Sequence, residues 1–146
     1  MSWLIKCGEA VCGKNTWVAD VVDLISSHRD AEGWFVCGEC GARGYIEKSF
    51  AMQEGGDRWE PYLRGVVPLG TSGDVYQPFV FLVSYEPDGP ASDLWFSYYK
   101  DLRESGGRLK LGYGPGSPPV LGKREVVGLL RQLKRIGYLT LTEIDN

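Results

Sequence analysis

All four cysteines of the chain fall near its start, in two close pairs: Cys7 with Cys12 in CGEAVCGKN, and Cys37 with Cys40 in CGECGARGY. A thiolate can be a nucleophile, a redox partner or a soft metal ligand, and short pairing points to the last. Tetrahedral Zn²⁺ takes four thiolate or imidazole ligands, and one tight turn can supply two of them. Cys37-x2-Cys40 matches that spacing, and Cys7-x4-Cys12 stands at its long end. A glycine follows each cysteine (Gly8, Gly13, Gly38, Gly41), which lets the backbone fold round an ion and aim amides at the sulfurs. Two disulfides or four free thiols are the alternatives. Disulfides belong to oxidising compartments, and MSWLIKCGEA lacks the basic and long apolar regions of an export signal. The reading is therefore one structural Zn²⁺ on Cys7, Cys12, Cys37 and Cys40, in a cytoplasmic protein. Four sulfurs leave no open position for a catalytic water. His28, the only histidine, is not needed as a ligand.

The segments CGxxxCG and CGxCG resemble the two knuckles of a zinc ribbon, over residues 7 to about 50. Many ribbons serve transcription, translation or nucleic-acid processing, so the resemblance implies a nucleic-acid-associated role.

The elements that must hold these cysteines follow from hydrophobic period. Ser2–Lys6 reads as a strand leading into the first pair. Val18, Val21, Val22 and Ile25 recur at helical spacing, so a helix is expected over about 17–28, capped by Asn15 or Thr16. Trp34–Val36 reads as a strand delivering Cys37. Arg43–Met52 and Arg58–Leu69 read as strands, the first closed by Gly55-Gly56 and the second interrupted near Pro61. Phe79–Val83 is apolar on both faces, as a central strand is, with Pro78 at its start. Thr71–Asp74 and Pro87–Pro90 are expected turns. Beyond them the aromatics of Leu94–Arg103 suggest a helix, and residues 105–119 a glycine- and proline-rich loop around a short Leu109–Leu111 piece. Lys123–Ile136 reads as a helix with Val126, Val127, Leu129, Leu130, Leu133 and Ile136 on its core face, stopped at Gly137. YLTLTEI, residues 138–144, alternates as a closing strand. The fold class is α+β: a zinc-ribbon-like module with an inserted helix, continuing into an antiparallel sheet with two C-terminal helices. Residues 1–50 form the module and 51–146 the remainder, packed with it as one compact domain.

Charge divides the chain. Residues 1–99 carry 7 Lys/Arg against 14 Asp/Glu, and residues 100–146 carry 9 against 5. A basic C-terminal face suits a polyanion. Arg108, Lys110, Lys123, Arg124, Arg131, Lys134 and Arg135 are the candidate phosphate contacts. The region also sets Arg103, Arg108, Lys110, Lys123 and Arg124 among Tyr98, Tyr99 and Tyr113, a mixture suited to single strands. Residues 123–144 resemble the recognition helix and first wing strand of a winged-helix domain, which also implies nucleic-acid binding. The alternative partner is a protein, met through exposed aromatics and the 105–119 loop.

Other chemistry is poorly represented. GYGPGSPPVLGK has Ser117 where a phosphate loop needs its first glycine and Arg124 where it needs Ser or Thr. A single histidine leaves few nucleophile–base pairs, and Asp57 and Glu60 are loose surface carboxylates. The longest apolar run is too short to span a bilayer. The chain reads as a non-catalytic binding protein with a nucleic-acid or protein partner and no membrane.

Overall fold

The computed structural model describes residues 3–48, 50–51, 58–70, 75–112 and 121–144. The expected turn at 71–74, Gly55-Gly56, Asp57, Tyr113 and positions 113–119 of the glycine-rich loop lie outside them. The elements run β1 (Trp3–Cys7), β2 (Asn15–Val18), α1 (Val21–Ser27), β3 (Gly44–Glu47), β4 (Phe50–Ala51), β5 (Arg58–Trp59), β6 (Tyr62–Pro68), β7 (Tyr76–Ser84), β8 (Asp93–Asp101), β9 (Leu109–Gly112), α2 (Lys123–Arg135) and α3 (Leu141–Ile144). Seven strands form an antiparallel sheet in the order β2-β1-β3-β6-β7-β8-β9, and β4 pairs with β5. The class is α+β. Among the described residues no helix is long and apolar enough to cross a membrane.

The chain packs as two compact units. The first comprises Met1–Val66 with Leu82–Leu94, and the second Val67–Phe81 with Trp95–Asn146. In the first unit, strand alternation turns Trp3, Ile5, Val18, Ile46 and Leu63 inward, while Leu4, Lys6 and Glu47 face outward. The helix between the cysteine pairs is shorter than its apolar period suggests. Asn15–Val18 pairs instead with β1, Trp3 opposite Val18 and Ile5 opposite Thr16, so these residues are strand. The helix starts after Asp20, whose extended backbone leaves its carboxylate to accept from the amides of Val22 at 2.8 Å and Asp23 at 3.0 Å. Asp20→Ala should therefore lower stability by about 1 kcal/mol, read from the urea midpoint at an unchanged slope.

In the second unit, Phe79, Val80 and Phe81 are fully buried, as a central strand requires. Pro78 lies inside β7 rather than at its start. It has no N–H, and the buried Gln77 side chain donates to the Leu69 carbonyl at 2.6 Å while the Leu69 amide donates to Pro78 O at 2.9 Å. The helix expected over Leu94–Arg103 is strand β8, followed by a 3-10 turn at Arg103–Ser105. Its aromatics fit a pleated, half-buried surface between neighbours, and Ser97 and Tyr99 are buried at alternate positions. The closing strand is also absent. Gly137 turns the chain at φ 75°, Tyr138 N donates to Leu133 O, and the Thr140 amide and hydroxyl both donate to the Glu143 carboxylate at the start of the short α3. The chain does end in two helices, but the second replaces the wing strand.

A four-thiolate centre and an exposed basic helix

The two cysteine turns are built on the same plan. Cys7 N donates to Lys14 O at 3.1 Å, and Cys37 N donates to Ala42 O at 2.8 Å. Each acceptor lies two residues after the second cysteine of its pair. The longer first spacing is thus absorbed inside the loop, where Gly13 takes φ 56° and Val11 is 98% exposed. Gly41 plays the matching part in the second turn at φ 72°, donating to Cys37 O at 2.9 Å. The strands fix the turns relative to each other. Cys7 ends β1 opposite Gly44 of β3, and Gly8 N donates to Arg43 O at 3.0 Å. Gly38 N donates to Thr16 Oγ1 of β2 at 2.9 Å.

This framework brings the four sulfurs together. All lie within 4.8 Å of one another, with Cys7 and Cys40 at 3.5 Å and Cys12 and Cys37 at 3.9 Å. A disulfide would need about 2.05 Å. A tetrahedral ion with bonds near 2.3 Å sets its sulfurs about 3.8 Å apart. The thiols are free, and their arrangement is that of a metal centre.

Backbone amides are already aimed at the sulfurs. The Glu9 amide donates to Cys7 Sγ at 3.4 Å, Lys14 supplies an amide to Cys12, and Cys40 and Glu39 supply two to Cys37. Those two amides hold the Cys37 thiol down at about 6 against the cost of burial. The two amides thus favour the thiolate form of Cys37, the form in which a cysteine binds metal. At Cys7 the Glu9 amide favours the anion, but desolvation and the neighbouring thiols outweigh it and push the group up to about 12. Three neighbouring sulfurs without a cation resist a further negative charge, and a divalent cation reverses that balance.

His28 stands apart from the sulfurs and pairs with Asp23 at 3.2 Å. The basic candidates are all in the second unit. Lys123, Arg124, Arg131, Lys134 and Arg135 lie on α2, Lys110 on β9 and Arg108 just before it, and all seven are exposed. Arg124, Arg131 and Arg135 recur at i, i+7 and i+11, one stripe of the helix. The expected core face of α2 is narrower than its sequence suggests. Leu129 and Leu133 are buried, whereas Val126, Val127 and Leu130 are 41%, 36% and 47% exposed. Comparison with family models, characterised proteins and solved structures gave no match to this chain.

Proposed function

We propose that Cys7, Cys12, Cys37 and Cys40 hold one structural Zn²⁺ in a reducing compartment, and that the protein is a non-catalytic module binding nucleic acid through its basic C-terminal part. The donor set supports zinc: four cysteine sulfurs within 4.8 Å of one another offer a soft, closed thiolate shell with no position for a substrate. One observation carries the nucleic-acid reading. Among the described residues, none of the seven candidate cations makes an ion pair or side-chain hydrogen bond. Cations without an internal partner among the described residues, on α2 and on or just before β9, can release phosphate counterions without breaking an internal contact.

Fluorescence anisotropy of the zinc-loaded protein with labelled oligonucleotides, across a salt series, tests this. Affinity should fall linearly in log–log salt. Exchanging Lys123, Arg124 and Arg131 together for Glu should flatten the slope by about 2, because each lost phosphate contact is worth about 0.7 for a single strand. Absence of binding at low salt retires the reading. The exposed Val126, Val127 and Leu130 favour the second one, a protein partner with an acidic, apolar surface.

A further inference from the structure

The expected aromatic helix is a strand, and this changes what its side chains can do. Alternation in β8 turns Ser97 and Tyr99 inward and leaves Phe96, Tyr98 and Lys100 together on the other face. In the register with β9, Gly112 stands opposite Tyr98 and Lys110 opposite Lys100. A Cβ on Gly112 would collide with the Cζ, Cε2 and hydroxyl of Tyr98. The ring therefore lies across the glycine instead of standing off the sheet. The Tyr76 ring from β7 is 5.0 Å from it at 39°, and Lys100 Nζ is 6.0 Å from the Tyr76 centroid. Phe96 beside them is 38% exposed.

The charge on this face is also unusual. Like charges directly opposite each other destabilise a strand pair, yet Lys100 and Lys110 occupy one register position and both are exposed. The nearest carboxylate in sequence, Asp101, is taken by Arg103 through two hydrogen bonds of 2.8 and 2.6 Å. The face therefore combines three ring systems with two cations that form no ion pair among the described residues.

We infer that the outer face of β8 and β9, with Tyr76 from the start of β7, is a stacking platform for unpaired bases, with Tyr76, Phe96 and Tyr98 under the bases and Lys100 and Lys110 on the phosphates. The inference rests on the nucleic-acid reading above and narrows it to single strands. Flat rings that reach solvent can meet the faces of bases, which a duplex keeps stacked on each other. Stacking also tolerates any sequence, since every base has a π-face.

The test uses the zinc-loaded full chain with labelled oligouridine and oligothymidine of about ten nucleotides and a duplex of matched length. The single strands should bind at least about tenfold more tightly than the duplex. Phe96→Ala should weaken single-strand binding by about fivefold or more, with the salt slope unchanged because no phosphate contact is lost. Lys100→Glu should flatten the slope instead. Tyr98→Ala should behave as Phe96→Ala, and Tyr98→Phe should bind as the parent does. If Tyr98→Ala fails to fold, photocrosslinking of 5-bromouridine strands to the parent protein still judges the platform, with adducts expected on Phe96 or Tyr98. Duplex binding equal to single-strand binding, with Phe96→Ala silent, overturns the platform and leaves the broader reading standing. Loss of all nucleic-acid binding at low salt overturns both. Displacement of the strand by polyglutamate at equal charge also overturns the platform, since the face would then be selecting charge without bases.

Discussion

Cys40→Ala is expected to abolish stoichiometric zinc and to unfold the segment that the two cysteine turns organise. Binding free energy at such centres is folding free energy, on the order of 10 kcal/mol at neutral pH. Removing one thiolate from a closed shell forfeits most of it. Native mass spectrometry should show no bound ion, and amide exchange should accelerate through β1, β2 and β3. Chelation of the parent protein should reproduce the result. Acid should do so as well, with a definite sign: the ligands bind as thiolates, so bound metal is lost as pH falls and protons compete for the sulfurs. A Cys40→Ala protein that keeps one zinc per chain would sink the four-thiolate centre.

Gly65→Ala should be the most damaging single methyl addition outside that centre. Gly65 of β6 bridges Trp34, and a Cβ there would collide with Gly33 O and press on Trp34 Cα at 3.0 Å. Two bonds hold the segments at this approach, Val66 N donating to Gly33 O at 2.7 Å and Phe35 N to Arg64 O at 2.9 Å. Neither neighbour is a flexible side chain, so backbone must move, and the cost should be about 2–4 kcal/mol. Gly33–Val36 leads directly into Cys37, so zinc affinity should fall with stability. Gly128→Ala is the matched control. Among the described residues nothing outside the helix's own backbone lies within 4 Å of its added Cβ on α2, and removing a helix-interior glycine should add about 0.5–1 kcal/mol. Urea midpoints decide both, and a Gly65→Ala midpoint equal to the parent's would discard the close-approach argument.

How much of this could be read from the sequence depended on the kind of signal. The cysteine pairs were legible because metal spacing is a local chemical constraint, and Phe79–Val83 because only a central strand is apolar on both faces. β8 was not legible, because Trp95, Phe96, Tyr98 and Tyr99 satisfy helical spacing nearly as well as alternation, and the decision lay with distant neighbours such as Gly112. The platform was hidden for the same reason, since Tyr76 and Tyr98 meet only across paired strands. At the end of the chain the alternation of YLTLTEI outweighed a signal that was present: Thr140 and Glu143 stand at capping-box spacing. On α2 the apolar count was right, but a 13-residue helix does not bury its whole apolar arc. Leu129 and Leu133 won the core, leaving Val126 and Leu130 in solvent.

The first unit is discontinuous, and that has a consequence for how the protein is made. Its four sulfurs all lie within the first forty residues, but its last segment, Leu82–Leu94, follows only after Val67–Phe81 of the other unit. A nascent chain therefore exposes a complete ligand set well before it can finish the fold that surrounds it. Metal captured at that stage would clamp β1 to the Cys37 turn and shorten the loop left to search, while the later strands are still being synthesised. Zinc supply during translation, rather than zinc affinity of the finished protein, would then govern the yield of correctly paired strands.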